Sequence, residues 1–302
     1  MINKIIIILF FLSSIVHAAD YQISSQMIGS SPTSVALGTS IFSNEVSSLF
    51  ESDVLEKNRL SVSLFNVKTM GDFDTTVVAA GFGFKNLVIA AGIASSGTTG
   101  IEITTETGLD NEIIPTGETY NYTNAHYKGA LTYYLADSFA MGVGVSYFNS
   151  QMYNTAGSGM NVSVSSKFKF SEKIDVGLTM DNILSGGVEF ENETENLPMQ
   201  MLFSTKYQVT EDLEVIGTLK NTASELNYES DQLLSMGAQY KLFKQLQINA
   251  VLFQEYAGLE VKNNIAVGTS LKLNSITFNY AYKTVEYTEA ADQHFFSVSI
   301  NI

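Results

Sequence analysis

The amino-acid sequence predicts an all-β protein: a transmembrane antiparallel β-barrel of about fourteen strands, preceded by a short N-terminal plug or periplasmic segment. Three observations lead to this prediction. Apolar and polar residues alternate through most of the chain after residue 58, as side chains do on the two faces of a strand. Short and long connections alternate between the predicted strands, as they do in bacterial membrane barrels. The last ten residues, QHFFSVSINI, form a strand with one apolar and one polar face.

Residues 1–18 are predicted to be a secretory signal peptide. Lys4 precedes an apolar run, and Val16-x-Ala18 supplies the small residues for cleavage after Ala18. The apolar run is shorter than the roughly 20 residues that a spanning helix needs. We therefore expect an exported protein, located in the bacterial outer membrane.

The composition argues against several classes of function. The chain has no cysteine, which excludes disulfide and thiol chemistry. Its formal net charge of -15 argues against a nucleic-acid partner. After the signal peptide the histidines are His126 and His294, and neither a G-x-S-x-G motif nor metal-ligand spacing is present. His294 shares the outward parity of Phe296, which favours a position at the membrane interface. The sequence therefore predicts no enzyme, no cofactor and no metal site.

Residues 19–58 show no strand-like alternation and are interpreted as a separate N-terminal segment, either a plug or a periplasmic element. Within it, Val46, Leu49, Phe50 and Val54 fall on one side of a predicted short amphipathic helix. Ser43 or Asn44 is expected to cap this helix.

Residues 59–302 are predicted to form the barrel. The fourteen predicted strands span residues 59–68, 74–84, 87–95, 124–136, 138–150, 159–170, 173–183, 199–209, 212–221, 231–242, 246–255, 264–273, 275–284 and 294–302. Their lengths are close to the roughly 9–11 residues that a tilted membrane strand requires.

The connections set the orientation of the predicted barrel. Short turns are expected at residues 85–86, 137, 171–172, 210–211, 243–245 and 274–275. Longer loops are expected between them, at residues 69–73, 96–123, 151–158, 184–198, 222–230, 256–263 and 285–293. Because membrane barrels have short periplasmic turns and longer outer loops, the final strand should descend to the periplasm. It should pair with both the preceding strand and the first strand. Its outward residues are predicted to face outer-membrane lipid and to act as the signal for barrel closure and for the barrel-assembly machinery: Phe296, Val298, Ile300 and Ile302.

Lysines on the inward parity recur near the periplasmic ends of the strands. We interpret them as a candidate ligand-binding collar: Lys85, Lys167, Lys169, Lys206, Lys241 and Lys272. Such a collar would receive or release an amphiphile that carries a carboxylate. The alternative is a rim of solvated ion pairs with nearby acids, each worth about 0–1 kcal/mol.

Two further patterns leave alternatives open. The outer loops are acidic, for instance at Glu102, Glu118, Glu189 and Glu191, which fits either a solvated anionic surface or oxygen ligands for Ca²⁺. Small residues line one inward wall, at Gly81, Gly83, Ala90, Gly92, Gly142 and Gly144. Glycine in a strand marks either a close approach of another backbone, here the 19–58 segment, or barrel curvature.

The middle of the chain resembles a known family. The stretch GALTYYLADSFAMGVGVSYF is followed by Asp181-Asn182-Ile183 closing a strand and by Leu197-Pro198 opening the next. Over residues 129–220, this pattern is similar to that of the PorV/PorQ group, relatives of the FadL-type long-chain fatty-acid transporters. The chain departs from the family pattern in two places. No Asn-Pro-Ala occurs in the N-terminal segment, and Asn161 stands where the family has an Asp.

The resemblance implies a fourteen-stranded barrel with an N-terminal segment in or under the lumen. It also implies transport of hydrophobic or amphiphilic small molecules across the outer membrane. The alternatives are a scaffold or cargo shuttle that binds type IX secretion components, and a purely structural outer-membrane protein.

Overall fold

A computed structural model describes residues 31–69, 73–107, 112–184, 186–191, 194–223, 231–257, 260–284 and 292–302. The predicted signal peptide, the first part of the N-terminal segment and the tips of several long loops lie outside these residues. No helix within the described ranges is long and apolar enough to cross a membrane.

The described residues form two short helices followed by sixteen strands. The helices are α1, Pro32–Val35, and η1, a 3₁₀ helix at Val46–Phe50. The strands are β1 Ser61–Thr69, β2 Phe73–Phe84, β3 Leu87–Thr107, β4 Glu112–Ala136, β5 Phe139–Met152, β6 Thr155–Ser171, β7 Ile174–Asp181, β8 Gly187–Glu189, β9 Thr194–Asn196, β10 Gln200–Gln208, β11 Leu213–Thr222, β12 Asp231–Lys241, β13 Leu246–Ala257, β14 Glu260–Leu273, β15 Ile276–Lys283 and β16 Gln293–Asn301.

Fourteen of these strands close into an antiparallel barrel. Strands β1–β7 and β10–β16 each pair with their neighbours, and β16 pairs with both β15 and β1. The seam is continued beyond the strands, where the amide of Ile302 donates to the carbonyl of Leu60 and the amide of Leu60 donates to that of Ile302. The prediction of fourteen strands, with the last strand paired to the first, is confirmed.

The two faces of the wall differ as the sequence alternation requires. In β16, Phe296 is 56% exposed on the outside, whereas Phe295 and Ser299 are buried on the inside. All four predicted outward residues of the closing strand are exposed: Phe296, Val298, Ile300 and Ile302. Large apolar side chains also cover the outside elsewhere, with Met236 at 67% and Leu252 at 62% exposure. The barrel is therefore apolar on the outside and largely polar on the inside.

The two ends of the barrel differ in their connections. One end, here called the turn end, carries six short connections and the end of β16. The other, the loop end, carries the remaining connections, which range from the two residues between β5 and β6 to the eighteen between β7 and β10. The predicted loops at 151–158 and 256–263 are therefore largely strand, because β5, β6, β13 and β14 extend into them.

The prediction of an irregular loop at 96–123 is wrong, because β3 and β4 continue to pair as a hairpin beyond the wall. Where the side chains of this hairpin are described, at 97–104 and 115–123, no residue is buried, so burial does not select for alternation there. The ladder also shifts register after Thr98 and Glu102.

The loop predicted at 184–198 also contains structure. It holds the short strands β8 and β9, and Ser158 of β6 pairs with Glu189. Val188 and Leu197 are buried against Phe148, with Phe190 packed beside them. This loop therefore folds back onto the loop end of the barrel, while Glu189 and Glu191 remain exposed.

The N-terminal segment differs in detail from the prediction. The predicted amphipathic helix is a 3₁₀ helix, and its N-cap is Glu45, without a side-chain capping bond, rather than Ser43 or Asn44. Its expected apolar residues are all buried, with Leu49 at 0% and Phe50 at 2% exposure. An additional helix, α1, follows Ser31, whose hydroxyl accepts the amide of Ser34.

Candidate functional site

Residues 31–58, named here the inner segment, occupy the interior of the barrel and contact its wall on several sides. Helix α1 packs against β14, β15 and β16, and η1 packs against β1–β4. On another side, Leu37, Ile41 and Phe42 form a cluster with Leu202 and Ile216 of the wall. Most of the inner segment is buried, so its contacts define the candidate site.

Glycines allow the inner segment to approach the wall closely. A Cβ atom at Gly81 would lie 3.0 Å from Val46, and one at Gly92 would lie 3.0 Å from Leu49. A Cβ at Gly142 would lie 2.5 Å from the carbonyl carbon of Asp53. Because that carbon belongs to the backbone, no side-chain rotation could relieve the contact. Close approach of the inner segment, rather than curvature alone, explains the small residues on this wall.

A buried charge fixes the inner segment at the centre of the barrel. Asp53 is fully buried, and its Oδ1 lies 3.1 Å from Nζ of Lys128 on β4, whose side chain is also fully buried. Ser163 donates to Oδ1 at 2.8 Å and Ser165 donates to Oδ2 at 3.0 Å. A second carboxylate, Asp181, lies 3.9 Å from the same ammonium. Because the Lys128 ammonium faces two carboxylates and the Asp53 carboxylate accepts two hydroxyl hydrogen bonds, the buried charges avoid the cost of isolated ions.

The backbone beside Asp53 is also bound to the wall. Thr132 donates to the carbonyl of Asp53 at 2.5 Å and accepts the amide of Leu55 at 3.1 Å. Tyr134 donates to the carbonyl of Leu55 at 2.7 Å. Since a buried backbone group without a partner is costly, these bonds fix both the position and the direction of the chain.

A second polar region lies between the inner segment and the adjoining part of the wall, formed by β7, β10 and β11. A cavity there is lined by Glu51 of the inner segment and by Asp181 and Lys220 of the wall. The hydroxyl of Ser34 donates to the Glu51 carboxylate. Charged groups of both signs thus flank the inner segment on two sides.

Two of the predicted collar lysines, Lys167 and Lys206, lie close together beside the inner segment and its acidic neighbours. Nζ of Lys167 lies 2.8 Å from Glu56, and this ammonium lowers the pKa of the Glu56 carboxyl. Nζ of Lys206 lies 3.1 Å from Asp175. Both ammonium groups also lie over the ring of Phe42, at 5.4 and 5.5 Å, within the range of cation–π attraction.

The other collar lysines are distributed differently. Lys241 and Lys272 line a separate pocket at the turn end. Lys169 is exposed beside Asp175, its partner in the β6–β7 ladder. Lys85 is exposed in the two-residue β2–β3 turn, with its ammonium 5.4 Å from the ring of Phe84 on the outer face. Lys85 therefore lies apart from the collar that the alternation predicted.

The histidines have different surroundings. His126 is fully buried in the lumen, where Nε2 is 2.9 Å from the Ser146 hydroxyl and the ring packs edge-on against Phe50. His294 is exposed on the outer face, with Nδ1 2.9 Å from the Tyr280 hydroxyl. Among the described residues, no three His, Cys, Asp or Glu side chains are grouped so as to hold a metal ion.

Asp53, Lys128 and Lys220 are the polar groups that sequence reasoning missed. Lys128 lies on the inward parity of β4, between His126 and Ala130, so the alternation alone places an ammonium in the lumen. An inward lysine in the middle of a strand requires a buried partner. Asp53 belongs to an irregular segment, and no pattern in the sequence indicates which acid that partner is.

The residues that carry the family resemblance also contact one another. Asn182, with φ of 55°, donates from its side chain to the carbonyl of Pro198 at 2.8 Å. Asn161 bonds both backbone groups of Leu184, accepting its amide at 3.0 Å and donating to its carbonyl at 3.1 Å. These bonds fix the exit from β7, so Asn161 has a structural partner even though it departs from the family pattern.

Together these features define a class: a closed, fourteen-stranded antiparallel barrel whose N-terminal segment is anchored inside the lumen. No protein-family model matches the chain, and no curated protein matches its sequence. Solved structures do match, and they include two toluene transporters and a FadL homologue. The toluene transporter TbuX of Ralstonia pickettii superposes with a TM-score of 0.68 at 10% identity, covering 90% of this chain and 98% of that one.

Two other solved barrels agree with this match. The toluene transporter TodX of P. putida has a TM-score of 0.62 at 14% identity, covering 91% of this chain and 99% of its own. A FadL homologue of Pseudomonas aeruginosa has a TM-score of 0.60 at 11% identity, with coverages of 90% and 98%. At these identities the likeness establishes the shared fold over nearly the whole of each chain.

Proposed function

We propose that the protein spans the bacterial outer membrane and transports hydrophobic or amphiphilic small molecules across it, with the inner segment acting as a plug. The observation that carries the proposal is the filled lumen of a fourteen-stranded barrel. Barrels of the same fold include two named toluene transporters and a FadL homologue. An apolar outer surface is what lipid contact requires of such a barrel.

The way the inner segment is held supports a plug that moves. Its centre is attached by the Asp53–Lys128 ion pair and by hydroxyl groups of the wall. Such contacts are directional, and they are lost together when the segment shifts by a few ångströms. A plug attached in this way has a defined closed position and opens without any change to the barrel ladder.

The orientation follows from the connections. Short turns face the periplasm and longer loops face outward in membrane barrels, so the turn end is proposed to be periplasmic. Ligands would then enter at the acidic loop end and leave at the turn end. The outward residues of β16 would serve barrel closure and recognition by the assembly machinery.

The test is uptake by living cells. Cells that express the protein should accumulate radiolabelled toluene or oleate faster than cells that carry an empty vector. In planar bilayers the intact protein should conduct ions poorly, whereas a variant lacking residues 31–58 should form an open pore. Equal uptake with and without the correctly folded protein would refute transport. Equal conductance of the two proteins would refute the plug.

A second candidate is a scaffold or cargo shuttle for type IX secretion. The observation that favours it is the resemblance of residues 129–220 to the PorV/PorQ group. Affinity capture from the native membrane would recover secretion components or exported cargo if this role is correct. Recovery of neither, together with measurable uptake, would leave transport as the function.

A further inference from the structure

A second pocket opens at the turn end, between the inner segment and strands β12–β16. It has a volume of about 250 Å³ and is lined by Thr33, Asn44 and Glu45 from the inner segment, together with residues of the barrel rim. It is separate from the cavity at Lys220, with which it has no lining residue in common.

Three lysines line this pocket. Lys241 ends β12, Lys244 lies in the β12–β13 turn, and Lys272 lies near the end of β14. Among the described residues, Lys241 is the one of these three lysines that forms an ion pair, with Nζ 3.8 Å from the Glu214 carboxylate. The ammonium groups of Lys244 and Lys272 have no ion pair or hydrogen bond there. In a protein with a formal net charge of -15, a pocket with three ammonium groups is an exception that attracts anions.

The wall of the pocket continues this polar character. Antiparallel pairing puts Lys241 opposite Gln247, Gln247 opposite Ser270, and Ser270 opposite Asn279. These residues therefore form one inward row across four strands. The hydroxyl of Ser270 is buried without a hydrogen-bond partner in the described part of the chain, which leaves a donor available to a ligand.

Glu45 lies on the inner-segment side of the same pocket. It is 4% exposed, and one of its carboxyl oxygens accepts the hydroxyl of Ser297 at 2.5 Å. The other, Oε1, is buried with no hydrogen-bond partner among the residues described. Burial raises the pKa of the Glu45 carboxyl, which favours its neutral form. Glu45 therefore brings to the inner-segment side of the pocket a carboxyl group that is protonated more readily than an exposed one.

One flank of the pocket is apolar. Phe243 and Leu246 line it on either side of Lys244, and Phe243 is 65% exposed. A ligand held by the three ammonium groups would therefore have an apolar surface beside its charged end. This combination fits an amphiphile better than a small inorganic ion.

We propose that this pocket binds the carboxylate or phosphate headgroup of an amphiphile, with Lys241, Lys244 and Lys272 around the oxyanion and Phe243 against the chain. The inference deepens the proposed transport function and rests on it for the origin of the ligand. If the protein is a transporter, the pocket is the last site that binds an anionic ligand before the ligand leaves the barrel at the turn end.

Binding is measured on the full barrel in phosphatidylcholine nanodiscs by isothermal titration calorimetry. The probes are octanoate, octyl phosphate, 1-octanol and inorganic phosphate. The test variant carries K241Q, K244Q and K272Q. The matched control carries K57Q, R59Q and K173Q, which removes the same charge from exposed positions on the same rim.

We expect octanoate and octyl phosphate to bind the wild type and the control alike, and to bind the test variant at least about tenfold more weakly, a loss of about 1.4 kcal/mol. Octanol should show no dependence on the lysines. Lysine-dependent binding of inorganic phosphate as well would identify the oxyanion alone as sufficient, whereas its absence would identify the headgroup of an amphiphile. Equal loss in both variants, or lysine-independent binding of octanoate, would overturn the proposal. Because binding is measured on purified protein, it is separable from a failure of uptake, which would bear on the transport function alone.

Discussion

Replacing Asp53 by Asn should detach the inner segment while leaving the barrel intact. The substitution keeps the size of the side chain but removes the charge that faces Lys128 at 3.1 Å in a fully buried site. Breaking one side of a buried ion pair costs about 3–5 kcal/mol. Asp181 still lies 3.9 Å from the Lys128 ammonium, so we expect the lower end of this range. A cost of about 3 kcal/mol raises the detached fraction by roughly a hundredfold.

The absence of cysteine from the chain makes this fraction measurable. Ser47 is fully buried in η1, and its hydroxyl has no hydrogen-bond partner among the described residues, so S47C is nearly isosteric and loses no bond. A maleimide reagent should label S47C only when the inner segment leaves the wall. We expect the labelling rate in nanodiscs to rise roughly a hundredfold when D53N is added.

The matched control is E118Q, which neutralises an exposed carboxylate on the β3–β4 hairpin. It should leave the labelling rate unchanged. An unchanged rate in D53N, with the barrel still resistant to unfolding in cold detergent, would show that the ion pair does not hold the inner segment. Loss of the barrel itself would show that Asp53 supports the wall as well as the segment.

Three further predictions concern packing, titration and closure. G142A places a methyl group 2.5 Å from the carbonyl carbon of Asp53 in the inner segment and should destabilise docking of that segment by about 1–3 kcal/mol, seen as faster S47C labelling. G129A has nothing within 4 Å of the new methyl group and should leave S47C labelling unchanged. Lys167 holds the pKa of the Glu56 carboxyl below its ordinary 4.5, so the stabilisation by this ion pair is present above pH 4.5 and is lost as the pH falls through the folded-state pKa. At pH 7 the wild type should be more stable to thermal unfolding than E56Q, by less than about 1 kcal/mol because the pair is partly exposed. In acid the stabilities of the two proteins should converge. I302D puts a charge on the outward face at the rim, where it should cost the folded barrel only about 0–1 kcal/mol. If Ile302 is part of the assembly signal, cells should yield less heat-modifiable barrel, while the stability of the folded fraction stays unchanged. A normal yield would contradict that role of Ile302.

The barrel was predictable from the sequence because each of its strands has one apolar face and one face that meets the lumen. A slip by one residue would reverse the two faces, so alternation such as Phe296, Val298 and Ile300 against Ser297 and Ser299 specifies both the strand and its orientation. The hairpin beyond residue 96 was not predictable in this way. In its described parts, at 97–104 and 115–123, neither face of the hairpin is buried, and the sequence there carries no periodic constraint.

The site was predictable only where it obeys the same alternation. The inward glycines at 81, 92 and 142 were compatible with either the approach of another backbone or barrel curvature, and the structure places the inner segment at these positions. The lysine collar was predicted from parity alone, which cannot distinguish a rim position such as Lys85 from one facing the lumen such as Lys167.

The anchor of the inner segment depends on a different kind of information. Asp53 meets Ser163 and Ser165 across more than a hundred residues of chain, and its own surroundings in sequence are irregular. What the sequence does contain is the requirement for such a residue. Lys128 faces the lumen with its ammonium buried, and a buried ammonium demands an opposite charge. A search that starts from inward charges in the middle of strands, and looks for acids in segments without periodicity, would have limited the candidates to the few carboxylates of residues 19–58.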